Sequence, residues 1–231
     1  MRTQPQIAID GPAGVGKSTI GERLAKRLGA VLVDTGAFYR ALTAVALDRG
    51  VGPSDGAGLL ALARALPIRI VAPTVADGRQ YTVLVDGVDV TRRLRTPKVD
   101  AAVSQVSNYP DVRVALIERM REMAGTATVV MVGRDIGTVV LPDADLKIYL
   151  TTSIDERARR RHGDLLAAYG DAAPALETVR REIEQRDASD TPNMRPAPDA
   201  VVINNDHLLA DEVVARIERL LAERGGADLT P

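Results

Sequence analysis

Gly11, Pro12, Ala13, Gly14, Val15, Gly16, Lys17 and Ser18 stand in the order of a phosphate-binding loop, a glycine and four spacers leading to Gly-Lys-Ser, with Thr19 next in line. Glycines there let the backbone curl until successive N–H groups point inward at a polyphosphate. Lys17 adds a mobile positive charge and Ser18 offers a hydroxyl to Mg²⁺. A helix starting near Lys17 would turn the positive end of its dipole to the same anion. The loop implies a nucleoside triphosphate with magnesium; it does not say what receives the phosphate.

Three further groups of residues could do that chemistry. Asp34-Thr35-Gly36-Ala37-Phe38-Tyr39-Arg40 ends in an arginine able to reach a second phosphate. Gly133-Arg134-Asp135-Ile136-Gly137-Thr138 follows an apolar run and sets an arginine and a carboxylate beside the loop, if the strands are ordered as in other phosphate-loop kinases. Arg157, Arg159, Arg160 and Arg161 crowd one helix start, and Arg180, Arg181 and Arg186 follow before Asp187 and Asp190. Such clusters are often solvated helix faces. Phosphoryl transfer gives this one another reading, because its transition state spreads charge over equatorial oxygens and is stabilised by Arg, Lys and Mg²⁺ more than by a strong base. A closing arginine-bearing lid would also exclude water. Gly163 to Pro174, polar and broken by Gly170, is expected to be its flexible tip.

Five short Val- and Ile-rich runs read as the buried parallel strands that position these residues: Ile7 to Asp10, Val31 to Asp34, Val129 to Val132, Lys147 to Leu150 and Val201 to Asn204. Ser18 to Leu28, Ala37 to Arg49 and Asp211 to Arg224 repeat apolar residues at helical spacing. Strand and helix alternating around a phosphate loop predict a parallel α/β sheet with the site at the strands' carboxyl ends. The long interval between the second and third strands reads as a small α/β insertion. It holds strands at 68–71 and 81–85, a tight turn at Asp86-Gly87, and two helices within 96–124 that part near Pro110.

Composition limits the alternatives. With 231 residues, 45% of them hydrophobic, and a net charge of −1, the chain can bury a sizeable core and projects no long-range positive field toward nucleic acid or anionic membrane. Zero cysteines remove disulfides, thiolate nucleophiles and cysteine-ligated zinc, and two histidines, His162 and His207, cannot form a histidine metal cluster. Neither an apolar signal region nor a membrane-length apolar run is present, so the expectation is a cytoplasmic protein with neither nucleic acid nor membrane as partner.

GPAGVGKST at 11–19, DTGAFYR at 34–40 and GRDIGTVVLPDA at 133–144 together resemble the bacterial cytidylate kinases, and LRTPKVDAAVSQVSNYPDVR at 94–113 is similar to that family's nucleoside-monophosphate insert. The resemblance spans nearly the whole chain. It implies a phosphate-loop kinase core of five parallel strands with helices on both faces (1–50 and 125–231), an insert that binds CMP or dCMP (51–124) and a lid (155–190). It implies transfer of the ATP γ-phosphoryl group to give CDP or dCDP, by a monomer. Ser104, Arg113 and Asp135 correspond to the family's cytosine readers, and Arg40 and Arg134 to residues holding the acceptor's phosphate, with Thr35 beside Arg40's segment also at the substrate. Arg186 and Asp190 match residues near the acceptor's sugar and phosphate; Arg157, Arg160 and Arg161 match the lid pattern. One departure stands out: many members read Asp-Ser-Thr-Arg where this chain has Asp190-Thr191-Pro192-Asn193, so either Arg195 substitutes or the phosphate has one clamp fewer. The alternative is another small phosphate-loop kinase acting on a different monophosphate or a small hydroxyl compound. Against a GTP-dependent switch, no N-K-x-D stretch exists to read guanine; against a nucleic-acid-stimulated ATPase, the net charge is near neutral and aromatic residues for stacking are few.

Overall fold

The computed structural model describes residues 4–190 and 194–224, without the side chains of 168, 189 and 190. Two compact units emerge, one made of 1–29 and 130–231, the other of 30–129.

The first unit carries β1 (Gln6–Asp10), α1 (Lys17–Leu28), β7 (Leu146–Thr151), α6 (Ile154–Tyr169), α7 (Leu176–Asp190), β8 (Val201–Asn204) and α8 (Ala210–Glu223), and β6 (Val129–Gly133) belongs to it from its second residue, Val130, onward. Every residue of β1 is buried, the pattern of a central strand covered on both faces. β7 runs parallel to it with Asp10 opposite Tyr149, and β8 runs parallel to β7 with Thr151 opposite Asn204. With β2 (Val31–Asp34) they form the expected five-stranded parallel sheet, in the order β2-β6-β1-β7-β8. The apolar positions that predicted the helices are the ones they bury: Ile20 and Leu24 of α1, and Val213, Val214, Ile217 and Leu221 of α8. α6 and α7 form a helical hairpin closed by Ala158, Val179 and Ile183, with Ile154 and Leu165 packed against them. The expected flexible tip at 163–174 is shorter than the sequence suggested. α6 runs through Gly163 to Tyr169, because Ser153 caps its start by accepting from Glu156 N and the run from Leu165 to Tyr169 keeps helical residues. The chain leaves the helix only at Gly170, whose φ of 55° stops it.

In the second unit β2 leads into α2 (Thr35–Asp48), which buries Phe38, Leu42 and most of its other residues. Asp34 caps α2 by accepting from Gly36 N at 3.0 Å. Then come α3 (Gly56–Ala65), β3 (Ile68–Val71), β4 (Thr82–Val85), β5 (Val88–Asp89), α4 (Pro97–Ser107) and α5 (Pro110–Ala124). β3, β4 and β5 make an antiparallel sheet, and the expected tight turn is there: Asp86 and Gly87 both take positive φ, 53° and 77°, as a two-residue hairpin turn demands. Pro97 and Pro110 open α4 and α5 at positions where the missing N–H has no intrahelical partner. α3 is an addition to the expected elements. Its two glycines obscured it, yet Asp55 caps it by accepting from Gly58 N at 2.9 Å. A Cβ at Gly56 would stand 2.7 Å from the Tyr109 ring, so that glycine serves packing.

Candidate active site

The phosphate loop is wound by its glycines. Gly11, Gly14 and Gly16 take φ of 148°, 77° and 96°, and a Cβ at Gly11 would lie 2.5 Å from the Leu150 carbonyl oxygen. Only glycine fits there, both for space and for backbone. α1 begins at Lys17, whose ammonium donates to the carbonyls of Gly11 and Pro12 at 2.7 Å each. Lys17 and Ser18 are half-buried and Thr19 is exposed, so the lysine and the hydroxyl stand in the first turn of the helix that follows the loop.

Two buried side chains from elsewhere in the same unit tie the loop down. Asn205, just after β8 and 2% exposed, donates from Nδ2 to the Val15 carbonyl at 2.8 Å and accepts at Oδ1 from the Thr152 hydroxyl. Arg157, 5% exposed, donates from Nη1 to the Ala13 carbonyl at 3.1 Å and grips both oxygens of Asp187 at 3.0 and 2.6 Å. Its Nε is buried and makes no hydrogen bond among the described residues. The three arginines assigned to a lid therefore part company. Arg157 is a fixed root that joins α6, α7 and the loop. Arg160 is half-buried, bonded through Nε to Glu156 Oε1 at 2.7 Å and through Nη2 to the Asn205 carbonyl at 2.9 Å. Arg161 is exposed. The start of α6 is further anchored by Asp206, which accepts from Ser153 N and from the Ser153 hydroxyl; these bonds hold its carboxyl below the usual range.

β6 delivers Arg134 half-buried and Asp135 buried at the start of a tight π-helical turn over 136–140. The first amides of that turn, Ile136 N and Gly137 N, both donate to the Asp10 carboxylate at 2.7 Å. Asp10 is 3% exposed, and burial, more than its two amide bonds relieve, pushes its carboxyl up to about 6. Arg186 lies exposed on α7. Asp190 ends that helix with its side chain outside the described residues, as is all of 191–193, where the sequence departs from the family pattern. Arg195 is exposed.

In the second unit Thr35 is buried at the start of α2, and Arg40 donates from Nη1 to the Leu94 carbonyl at 2.8 Å and to Asp100 of α4 at 2.6 Å. The Arg113 guanidinium of α5 lies 5.7 Å from the centre of the Tyr39 ring and donates to the Ser107 carbonyl at 3.4 Å. Ser107 in turn donates to the carbonyl of Ser104, whose own residue is exposed on α4. Ser107 thus links Arg113 to the Ser104 backbone at the α4–α5 joint, with the Tyr39 ring beside the arginine. Tyr81 donates to Asp34 Oδ2 at 3.2 Å, and burial beside that carboxylate pushes its hydroxyl well above the ordinary phenol range.

Asp10, Asn205 and Tyr39 were not singled out from the sequence. A carboxylate closing a wholly apolar strand just before the loop was the signal for Asp10; for Asn205, the polar Asn204-Asn205-Asp206 end of the fifth strand was a fainter one.

The cytidylate kinase family model matches residues 7–223. The chain belongs to the cytidylate kinase family. Among its relatives, the cytidylate kinase of Roseiflexus castenholzii is 50% identical over 219 residues, and that of Chloroflexus aggregans 48% over 217, each alignment covering 94% of both chains. A bifunctional pantoate ligase/cytidylate kinase of Gloeobacter violaceus is 43% identical over 230 residues, 98% of this chain and 44% of that longer protein. In fold the chain is similar to an uncharacterised protein of Eubacterium ventriosum, with a TM-score of 0.51 at 13% identity, covering 96% of this chain and 99% of that one.

Proposed function

We propose that the protein transfers the γ-phosphoryl group of ATP to CMP or dCMP, giving ADP and CDP or dCDP. The observation that carries the reading is membership of the cytidylate kinase family over 7–223, in a chain whose phosphate loop is wound on three positive-φ glycines and bears Lys17 in the next helical turn. Backbone N–H groups of 11–19, Pro12 excepted, bind the ATP phosphates, and Lys17 exchanges its loop carbonyls for the β- and γ-phosphate oxygens as charge builds there. Magnesium comes with the nucleotide and would be held by the Ser18 hydroxyl. Magnesium would neutralise part of the phosphate charge as the bond from the γ-phosphorus to its bridging oxygen breaks.

On the acceptor's side, Arg40, Arg134 and Arg186 neutralise and orient the monophosphate, with Thr35 and Asp190 near the same substrate. Ser104, Arg113 and Asp135 read the pyrimidine. Asp135 accepts from the exocyclic amine of cytosine; uracil presents a carbonyl oxygen there instead. Transfer is in line and needs no strong base, so Arg160 and Arg161 of the α6–α7 lid, with Arg157 at its base, contribute by stabilising the charged transition state and excluding water. Residues 51–124 act as the acceptor-binding insert and 155–190 as the lid. The protein works as a cytoplasmic monomer; among the described residues no helix is long and apolar enough to cross a membrane.

A multiple-turnover assay with ATP and each of CMP, dCMP, UMP, AMP and GMP tests the reading. Turnover with CMP and dCMP at least about tenfold above UMP, and none with purines, is expected from the mismatch at a buried carboxylate. Preference for another monophosphate would transfer the chain to the alternative, a small phosphate-loop kinase of different acceptor.

A further inference from the structure

Asp10 is a buried acid that no step above uses. It ends β1, one residue before the loop begins, and its carboxylate spans 126 and 127 positions of sequence to accept from Ile136 N and Gly137 N, one oxygen to each. Those amides open the turn over 136–140, whose later donors, Val139 N and Val140 N, bond back to the Asp135 carbonyl at 2.8 and 3.1 Å. The first amides of any helical turn lack partners within it. Here a distant carboxylate supplies them, and the segment it fixes starts at Asp135. The approach is close from both sides: a Cβ at Gly137 would lie 3.3 Å from Asp10 Oδ2 and 3.1 Å from Lys147 Cδ. Lys17, Asp135 and Tyr149 are the charged or titratable groups whose fields reach this carboxylate or are reached by it.

We infer that Asp10 is a positioning residue for base choice: by gripping the amides of Ile136 and Gly137 it fixes the Asp135 carboxylate in the orientation that accepts from the cytosine amine. A carboxylate is suited to this and a carboxamide is not, since Asn can accept from one amide but turns an NH₂ donor toward the other. The adjacent phosphate loop keeps its own restraints from Asn205 and Arg157, so ATP binding is held separately from the orientation of Asp135. The inference rests on the proposal that Asp135 reads the base.

Specificity constants for CMP and UMP are compared in wild type, Asp10→Asn, Asp135→Asn and the double variant, with ATP affinity measured alongside and folding checked by circular dichroism. The CMP:UMP ratio should fall by about tenfold in Asp10→Asn while ATP affinity changes less than about threefold, and Asp10→Asn should cause no further fall in the ratio once Asp135 is Asn, since coupled residues are non-additive. Gly137→Ala, which disturbs the same grip from the turn's side, should lower the ratio in the same direction. An unchanged ratio in Asp10→Asn, or the same fall in both backgrounds, overturns the inference while leaving Asp135 as the reader. An Asp135→Asn protein with wild-type selectivity overturns the base-reading proposal and the inference with it. Failure of both Asp10→Asn and Gly137→Ala to fold would make the grip structural and sink the inference as well.

Discussion

In the unit built on 1–29 and 130–231, the polar side chains around the phosphate loop are buried and bonded to backbone: Arg157 to the Ala13 carbonyl, Asn205 to the Val15 carbonyl, Asp10 to the amides of Ile136 and Gly137. In the unit 30–129, Thr35 is buried, but the other residues assigned to the acceptor are less enclosed. Ser104 is exposed, Arg40 and Arg113 are half-buried, and Arg40's ion-pair partner, Asp100, has half of its side chain in solvent. Main-chain anchors do not swing, whereas side chains on helix surfaces can change rotamer to meet a ligand. On the proposed assignment, the loop and its anchors in the first unit are preorganised for the ATP phosphates, while Ser104, Arg40 and Arg113 of the second can adjust to the acceptor, which Arg134, Asp135 and Arg186 of the first also serve. Damage to the loop and its anchors Arg157 and Asn205 should appear in turnover and stability, damage to Ser104, Arg40 or Arg113 in the Michaelis constant of the acceptor.

The largest effect falls on the first unit. Lys17→Ala should lower turnover by about a thousandfold or more, since it removes a full charge from the transferring phosphate, with the melting temperature little changed. Near-normal turnover in the folded variant would remove the loop from the chemistry and erase the contrast.

Arg157→Ala is the next sharpest. It deprives Asp187 of two charge-assisted bonds and the Ala13 carbonyl of its donor. Breaking a buried pair is costly, and the cost is reduced here because Asp187 is partly exposed, so a loss on the order of 2–4 kcal/mol in urea unfolding is expected, together with reduced turnover. A variant as stable as wild type would show that the α6 root is not anchored there.

Arg113→Ala should act differently, raising the Michaelis constant for CMP by about tenfold while changing turnover and that for ATP much less. Arg113→Lys should fall short of rescue, because an ammonium keeps the charge but loses the planar contact with Tyr39. If turnover collapsed and the Michaelis constant held, the acceptor unit would serve the transition state just as the loop does, and the contrast would fail.

The smallest effect concerns pH. Asp10 has a carboxyl raised to about 6 from the ordinary 3.8, so between those values the native state holds its proton more firmly than the unfolded chain does. Its contribution to stability therefore declines as pH rises from about 4 to 6 and is level above that. Urea midpoints of wild type relative to Asp10→Asn should drop across that window and run parallel at pH 7 to 8. A constant offset from pH 4 to 8 would mean that the carboxyl titrates normally.

The sheet, the loop and most helices were legible in the sequence because their causes are local. Continuous Val and Ile runs mark buried parallel strands, Gly-x-x-x-x-Gly-Lys-Ser constrains its own backbone, and Asp86-Gly87 and Pro110 set turns within a few residues of themselves. α3 escaped because glycines at 56 and 58 weaken the helical signal, and only Tyr109, distant in sequence, explains why Gly56 is small. The arginines of α6 were visible as a cluster, yet charge spacing along a helix could not separate Arg157, turned inward onto Asp187 and Ala13, from Arg161, turned to solvent. Tertiary structure alone decided that Asp10 would cap a turn 126 residues away and that Asn205 would hold Val15 across 190. A buried polar group must find a partner wherever folding brings one within reach, and a one-dimensional pattern carries no record of that distance.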